Sequence, residues 1–277
     1  MPFREKILSM LKKKLPATAL KKIPSGYNLF KDIMLVRLDR SVYKYKKIIG
    51  NAILKTYPYV KTVLLEKSIK GRKRRPRIEI IAGRKNTKTI FSEAGCKFFI
   101  DFSKVMWSGG NKYERTRIAS QVRNGEVIVD MFAGIGYWSI FIAKMKNVKI
   151  YAIDINPDAI KILRRNAQLN GIGSRINIIK GDCRKVCKGI KEKSDRIIMG
   201  YLHNTEQFLP AALKLSKKGT IIHFHRSAPE SELKTIQSKI LEIATGCGMK
   251  VKINAVRRVK SIAPRIWHYV FDIIRHG

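Results

Sequence analysis

Acidic residues are scarce in this chain of 277 residues. Only 20 residues are Asp or Glu, against 58 Lys and Arg, which gives a formal net charge of +38. This imbalance predicts a polyanionic partner, because neutralising phosphates releases condensed counterions and draws nucleic acid to the surface. A basic surface kept only for solubility, the simpler alternative, rarely needs so large an excess. We therefore expect a nucleic acid among the partners.

Long apolar runs are missing and cysteines are few. No window approaches the roughly 18 to 20 apolar residues of a membrane span, and the charged, amphipathic start resembles neither a signal peptide nor an anchor. The four cysteines lack paired metal-ligand spacing, since Cys183 and Cys187 stand one helical turn apart without a second pair. We expect reduced thiols, no metal, no membrane contact and a cytoplasmic location.

The length suits a catalytic domain of about 150 residues with a smaller partner domain. We predict a basic α+β domain over 1–77, because a Lys-rich helix, an apolar stretch, a helical run and a strand-like segment follow one another there. Residues 78–122 are expected to form antiparallel strands and a connecting segment packed on the catalytic domain. The catalytic domain itself is predicted over 123–277.

A strongly basic segment lies at the end of the predicted first domain. In 68–77 (SIKGRKRRPR) five of the last six residues are basic and the other is Pro76. Such a segment indicates a loop or a hairpin tip. We interpret its basic residues as a tRNA-binding clamp for phosphates, the alternative being a mobile charged loop; the residues concerned are Arg72, Lys73, Arg74 and Arg75.

From Glu126 onward, strands alternate with helices, which indicates a parallel, doubly wound α/β sheet. The last two strand-like runs are joined by a turn that contains Pro264, and they predict a terminal hairpin with the final strand inserted antiparallel. The predicted parallel strands are 126–132 (EVIVDMF), 149–155 (KIYAIDI), 175–181 (RINIIKG), 194–200 (SDRIIMG) and 219–225 (GTIIHFH).

The first of these strands leads directly into a glycine-containing turn. Gly134 lies in this turn, where a ligand must approach the backbone closely and the chain must turn sharply into a helix. Asp154 follows twenty residues later at the end of the next strand, where a carboxylate can accept both hydroxyls of a ribose. Asp182 ends the third strand and is placed to meet an adenine amino group.

Two features of the turn argue against a nicotinamide cofactor, the main alternative for such a motif. Ser139 stands where the dinucleotide fingerprint has its third glycine, and the acidic Asp130 precedes the turn. In a class I methyltransferase-type Rossmann fold the same three strand ends hold S-adenosyl-L-methionine, and the terminal hairpin is a further mark of that fold. We therefore predict this cofactor and this fold, with a smaller α+β domain in front.

Several blocks of the chain carry a family resemblance. They are SEAGCKFFIDFSKVMWSGGNKYERTRIA, DMFAGIGYWSIFIA, DINPDAIKILRRNAQLNGI and IIKGDCRKV. Together, over about residues 60 to 277, they resemble the archaeal and eukaryotic tRNA enzymes that modify guanosine next to the anticodon. This family holds the tRNA guanine-N1-methyltransferases and the wybutosine-synthesising aminocarboxypropyltransferases. The resemblance implies tRNA as substrate, with tRNA(Phe) expected.

Two departures favour the wybutosine branch of the family. The methyltransferases carry an Asn-Leu-Pro type tripeptide at the end of the fourth strand, where this chain has Met199, Gly200 and Tyr201. They also carry a Ser-Pro-Arg segment where this chain has WSGGNKYER. The resemblance then implies transfer of the 3-amino-3-carboxypropyl group of S-adenosylmethionine to C7 of 4-demethylwyosine, with release of methylthioadenosine.

We assign site residues on this basis. Arg115 is the candidate for the methionine carboxylate, because a guanidinium fork matches a carboxylate bidentately, and Ser108 and Lys112 lie on the same segment. Tyr201 and His203 are the candidate catalytic residues, for positioning the base or accepting a proton. A structural role for His203 is the alternative. The predicted cofactor-binding set is completed by Phe132, Gly134, Asp154, Ile155, Asp182 and Cys183.

Two other functions stay open for this sequence. One is N1-methylation of guanosine by the same fold, and the other is RNA binding without catalysis. The second is disfavoured because the acidic strand ends and the glycine turn are intact. We expect a monomer.

Overall fold

The computed structural model describes residues 2–276, and the chain divides into two compact units, Met1–Trp107 and Ser108–Gly277. This division after Trp107 differs from the boundaries expected after residues 77 and 122. Residue 77 falls inside the strand Arg75–Gly83, which pairs with the strand before it. The expected boundary lies at the end of the charged run, but this run forms the turn between two paired strands, so the chain stays within the same unit.

The first unit is a small α+β structure. Helices α1 and α3 pack Ile7, Leu11, Ile49 and Ile53 into a core that they share with one face of a four-stranded sheet. The sheet order is β1-β2-β3-β4, with β2 and β3 parallel and the other pairs antiparallel. The elements are α1 (Phe3–Leu11), α2 (Ala17–Leu20), β1 (Asn28–Phe30), β2 (Ile33–Val36), α3 (Lys46–Thr56), β3 (Thr62–Lys70), β4 (Arg75–Gly83) and the separate hairpin β5 (Lys88–Glu93) with β6 (Cys96–Asp101).

The basic segment forms the tip of the β3–β4 hairpin, as predicted. Lys70 pairs with Arg75, so Arg72, Lys73 and Arg74 lie in the turn and Arg75 opens β4. The Nε of Arg74 lies 3.3 Å from the Sδ of Met106, a contact that ties the turn to a later part of the same unit. Three cations are therefore presented on one ordered turn.

The second unit is built on a seven-stranded sheet with the order β12-β13-β11-β10-β7-β8-β9. Strands β7 to β11 run parallel, and β13 lies antiparallel between β11 and β12, which confirms the predicted sheet and the inserted final strand. The strands are β7 (Val127–Asp130), β8 (Lys149–Asp154), β9 (Ile176–Lys180), β10 (Ser194–Met199), β11 (Ser216–Ala228), β12 (Val251–Ala263) and β13 (Ile266–Arg275).

Helices cover both faces of this sheet. Strands β7 and β10 lie in the middle of the sheet and are buried almost throughout. On one face, Phe224 and Phe271 pack with residues of α8 and α9 into a single core. The helices are α4 (Lys112–Gln121), α5 (Ser139–Met145), α6 (Pro157–Leu169), α7 (Cys183–Val186), α8 (Leu209–Leu215) and α9 (Leu233–Gly246). Among residues 2–276, none of the helices has the length and hydropathy to cross a membrane.

The parallel arrangement positions the candidate site. Strands β7, β8, β9 and β10 all end at one edge of the sheet, which we call the carboxyl edge. Ligands of open α/β sheets bind outside the carboxyl ends of the strands. The residues that follow these four strands are therefore neighbours in space, although they are far apart in sequence.

Candidate active site

The glycine turn after β7 is fixed to the end of β8 by a hydrogen bond. The N–H of Gly134 donates to Oδ2 of Asp154 at 2.8 Å, and the N–H of Asn156 donates to Oδ1 at 2.7 Å. Gly134 has a φ of +58° and Gly136 a φ of +99°, values in the left-handed region that favour glycine. A Cβ on Gly136 would lie 2.3 Å from a carbon of Ile140, so the turn tolerates no side chain there.

Asp154 is suited to bind two adjacent hydroxyls. Both of its carboxylate oxygens accept backbone hydrogen bonds, and an ionised carboxylate offers about four acceptor positions in all. Burial raises the pKa of Asp154, while the backbone N–H groups of Asn156, Gly134 and Ile155 lower it. The predicted partners Gly134 and Asp154 are thus brought together, and Ile155 continues directly from Asp154.

Asp130, which ends β7, is fully buried beneath the same turn. It accepts hydrogen bonds from the Oγ of Ser139 at 2.7 Å and from the N–H of Phe132 at 3.3 Å. Burial raises its pKa to about 7, and the charge of Asp154 adds to that effect. Sequence reasoning noticed Ser139 only as a missing glycine, whereas the structure shows its hydroxyl holding the acid under the turn.

Asp182 lies at the start of α7 and is held by an arginine two residues later. The Nε and Nη2 groups of Arg184 donate to its two oxygens at 3.0 and 2.6 Å, and the backbone N–H of Arg184 donates at 3.1 Å. The guanidinium of Arg184 also lies over the ring of Phe208, 5.1 Å from its centroid. Sequence reasoning missed Arg184. The signal was its spacing of two residues from a helix-capping acid.

Cys183, beside Asp182, is a buried side chain rather than a reactive one. Burial raises the pKa of its thiol to about 12, and the same cause acts on Cys187 one turn later. A neutral, buried thiol packs as a small apolar group. If Cys183 contributes to a ligand site, we expect its backbone to do so. Among residues 2–276 no three His, Cys, Asp or Glu side chains are grouped to hold a metal ion.

Aromatic rings gather where β10 ends. Phe132 and Tyr201 stack with centroids 5.1 Å apart and an interplanar angle of 19°. Phe208 meets Phe132 edge to face at 4.9 Å, and His203 meets Tyr201 edge to face at 5.9 Å. His203 is exposed and Tyr201 is half-buried. The structure therefore unites three predicted site residues in one cluster, which Phe208 completes.

The loop that carries Tyr201 and His203 is anchored at both ends. The Oγ1 of Thr205 donates to the carbonyl of Tyr201 at 2.7 Å, and the N–H of Ser227 donates to the carbonyl of Leu202 at 2.9 Å. Asn204 has a φ of +47°, which reverses the chain after His203. A side chain held on such a loop can position a base at low entropic cost.

The predicted group for the methionine arm lies at the start of α4. Arg115 is 5% exposed, and its Nη1 donates to the carbonyl of Ser108 at 3.0 Å, while Lys112 is exposed at the first residue of the helix. Ser108 and Arg115 are thus brought together. Their role toward a ligand carboxylate stays a prediction.

A second polar cluster joins helix α4 to the sheet. Arg117 donates to Glu114 at 2.9 Å and to Asp272 at 2.8 Å, and Asp272 lies 2.7 Å from Nδ1 of His223. The Nε2 of His223 accepts from Arg196 at 2.8 Å, since arginine can only donate, so the imidazole N–H faces Asp272. Burial lowers the pKa of His223. Burial would raise the pKa of Asp272, but hydrogen bonds from His223 and Arg117 hold it well below its usual range.

Comparisons with known proteins place this site in a family. Residues 89–252 match the TRM5/TYW2 methyltransferase domain, and residues 7–87 match the TYW2 N-terminal domain. The chain is 37% identical, over 89% of its length and 96% of the relative's, to the tRNA(Phe) (4-demethylwyosine(37)-C(7)) aminocarboxypropyltransferase of Methanocaldococcus jannaschii.

Two further comparisons span both branches. The tRNA (guanine(37)-N(1))-methyltransferase Trm5b of Pyrococcus abyssi is 34% identical over 90% of this chain and 74% of its own. The crystal structure of Pyrococcus horikoshii TYW2 in complex with MeSAdo superposes with a TM-score of 0.82 and 32% identity, covering 99% of each chain. This protein belongs to the TRM5/TYW2 methyltransferase domain family.

Proposed function

We propose that this protein transfers the 3-amino-3-carboxypropyl group of S-adenosyl-L-methionine to C7 of 4-demethylwyosine, next to the anticodon of tRNA(Phe), releasing methylthioadenosine. The observation that carries the choice of group is the match of residues 7–87 to the TYW2 N-terminal domain. In agreement, the chain covers 96% of the aminocarboxypropyltransferase but 74% of the methyltransferase. The enzyme is a transferase of tRNA modification.

The carboxyl edge fits the nucleoside end of the donor. Asp154 keeps acceptor positions for the ribose hydroxyls beside its bonds to backbone N–H groups. Phe132 and Ile155 are half-buried apolar side chains beside it, suited to the faces of an adenine ring. Asp182, with its oxygens oriented by Arg184, supplies acceptors for the adenine amino group.

Orientation decides which group is transferred. S-adenosylmethionine supplies a sulfonium with three electrophilic carbons, and the pocket selects the carbon that faces the acceptor. In our proposal Arg115 holds the carboxylate of the methionine arm, with Ser108 and Lys112 beside it. A buried guanidinium already fixed to the carbonyl of Ser108 loses little side-chain freedom when it binds a carboxylate.

On the acceptor side, the ring carbon attacks the electrophilic carbon of the arm and must then lose a proton. Tyr201 presents a stacked, half-buried ring that can support a planar base, and exposed His203 can take the proton. Phe132 and Phe208 hold Tyr201 in place from two sides. We infer that Tyr201 positions the base and that His203 serves as the proton acceptor.

We further propose that the first unit binds the tRNA. The hairpin turn with Arg72, Lys73, Arg74 and the adjacent Arg75 is its most basic ordered element, and phosphates are the ligands that such a cluster attracts. We also propose that the enzyme acts on tRNA(Phe) in the cytoplasm as a monomer.

A double-label assay tests the function. S-adenosylmethionine labelled either in the methyl group or in the carboxypropyl arm is incubated with tRNA that contains 4-demethylwyosine. We expect label from the arm, not from the methyl group, in the tRNA, together with methylthioadenosine. The similarity to Trm5b makes N1-methylation the second candidate, and transfer of methyl label to tRNA that carries unmodified guanosine, tested in a parallel reaction, would establish it.

A variant sharpens the assay. Arg115→Ala should reduce single-turnover formation of methylthioadenosine about ten- to a hundredfold, and Arg115→Lys should recover little of it, since an ammonium lacks the planar fork. Binding of methylthioadenosine, which lacks the carboxylate, is the control. If Arg115→Ala lowers the affinities for S-adenosylmethionine and for methylthioadenosine equally, Arg115 does not hold the amino-acid end of the donor.

A further inference from the structure

The outer strand of the terminal hairpin is basic and solvent-facing. Strand β12 is an edge strand, and most of its residues are exposed. Residues 248–271 contain no Asp or Glu, and their Lys and Arg residues are Lys250, Lys252, Arg257, Arg258, Lys260 and Arg265. This is a one-sign surface on a regular element rather than a loop.

The hairpin extends past the carboxyl edge. The pairing of β10 with β11 ends at Met199 and Phe224, but β11 continues to Ala228, which pairs with Trp267 of β13. Four residues of strand add roughly 13 Å. The turn that holds Arg265 therefore lies beyond the strand ends that carry Asp154, on the acceptor side of the sheet where Tyr201 follows β10.

Two basic side chains near the turn have defined settings. The guanidinium of Arg258 lies over the ring of Trp267, 4.4 Å from its centroid, and Trp267 packs on the core. Arg257, by contrast, points to the other face, 3.7 Å from the carboxylate of Asp272. Arg258 is thus an exposed cation on a rigid platform, and Arg257 is a structural neighbour of the buried cluster.

Charge on an edge strand has a simpler use, which is to prevent edge-to-edge pairing. Here three irregularities of register, at 253–255, 258–260 and 261–263, already disrupt the edge for a second strand. Val256 and Ile262 are also exposed on β12, at 37% and 41%. Exposed apolar side chains would not be expected on a strand whose charges serve only to prevent aggregation. Protection of the edge therefore does not explain why cations are concentrated near the turn.

We propose that the β12–β13 hairpin is a second RNA-binding arm, in which Arg258, Lys260 and Arg265 bind backbone phosphates of nucleotides that flank the target base. Phosphate contacts of this kind fix the register of a nucleic acid without reading its sequence. The arm would hold the anticodon loop against the carboxyl edge while one base enters the cluster around Tyr201. This inference rests on the proposed function only in taking tRNA as the substrate.

The test compares two variants with the same change in net charge. Arg258→Gln, Lys260→Gln and Arg265→Gln are combined in the arm variant. The control combines Lys188→Gln, Lys191→Gln and Lys218→Gln, three exposed residues near the amino ends of β10 and β11, at the opposite edge of the sheet. Binding of tRNA and of an isolated anticodon stem-loop is measured between about 50 and 300 mM salt, so that the slope of log K against log salt can be determined.

We expect the arm variant to bind both RNAs at least about tenfold more weakly, with the slope of log K against log salt reduced by about 2, since each phosphate contact contributes about 0.7 to 0.9. The control should stay within about twofold of the unmodified protein. Equal losses in the two variants, or a loss confined to full-length tRNA, would overturn the inference. Unchanged calorimetric affinity for S-adenosylmethionine shows that the arm variant is folded.

A charge-gain variant covers the case in which the arm variant does not fold. Ile262→Lys adds a cation at an exposed position of β12 and should steepen the salt slope by about 0.7 to 0.9; an unchanged slope would count against the arm.

The proposed reaction and the proposed RNA-binding arm can be refuted independently. If the unmodified protein transfers no carboxypropyl label but the arm variant still loses RNA binding, only the reaction is refuted. If label is transferred and both variants bind RNA alike, only the arm is refuted.

Discussion

The second unit contains two groups of buried acids that differ in how fully their hydrogen bonds are used. At the carboxyl edge, Asp154 accepts backbone N–H groups at both oxygens and retains acceptor positions. Between α4 and the sheet, Asp272 and Glu114 are both held by Arg117, and Asp272 is also held by His223. Spare acceptor capacity marks a ligand site, whereas matched donors and acceptors mark a structural element.

The buried cluster around Arg117 gives the largest expected effect. Arg117→Met should lower the free energy of unfolding by about 3 to 5 kcal/mol, because it leaves the carboxylates of Glu114 and Asp272 buried without their cation. The measurement is urea denaturation followed by circular dichroism and tryptophan fluorescence, together with calorimetric binding of S-adenosylmethionine to the folded fraction, which should be unaffected.

A matched exposed ion pair serves as the control for this variant. Lys149 and Glu192 lie 2.6 Å apart with side chains 50% and 38% exposed. Lys149→Met should leave the free energy of unfolding nearly unchanged, since exposed pairs are screened by solvent and salt. Similar costs for the two variants would mean that the Arg117 cluster is no more structural than a surface pair.

At the carboxyl edge we expect loss of binding in place of loss of stability. Asp154→Ala should weaken S-adenosylmethionine binding by about 1 to 3 kcal/mol, because ribose hydroxyls and the N–H of Gly134 lose their acceptor. Isothermal titration calorimetry measures this directly. An affinity equal to that of the unmodified protein would remove Asp154 from the site and abolish the contrast between the two groups.

Asp130 gives a smaller, pH-dependent effect. Its folded pKa of about 7 lies above the ordinary value of 3.8, so its neutral form stabilises the fold. This contribution is complete below pH 3.8 and is lost as the pH rises through about 7. Relative to Asp130→Asn, the unmodified protein should lose about 2 kcal/mol of unfolding free energy between pH 5 and pH 8. Parallel pH profiles from urea denaturation would contradict this.

Much of the second unit could be predicted because its signals are local. The apolar runs ending in Asp130 and Asp154, and the glycine turn after the first of them, fix strands whose ends must meet once the sheet is parallel. The terminal hairpin was likewise visible as two strand-like runs with a turn. The boundary after residue 77 shows the limit of such reasoning, since a predicted hairpin tip does not reveal that both of its strands belong to the same unit.

The sequence by itself determined the class of sheet, the acids at its strand ends and the cationic character of the surface, because these depend on periodicity, spacing and charge. Only the tertiary structure decided which groups share a hydrogen bond. Arg117 meets Asp272 across 155 residues, Ser139 lies under the turn against Asp130, and Arg258 covers Trp267. Such partners depend on how the elements pack and in what register the strands pair, and neither is marked by a local pattern in the chain.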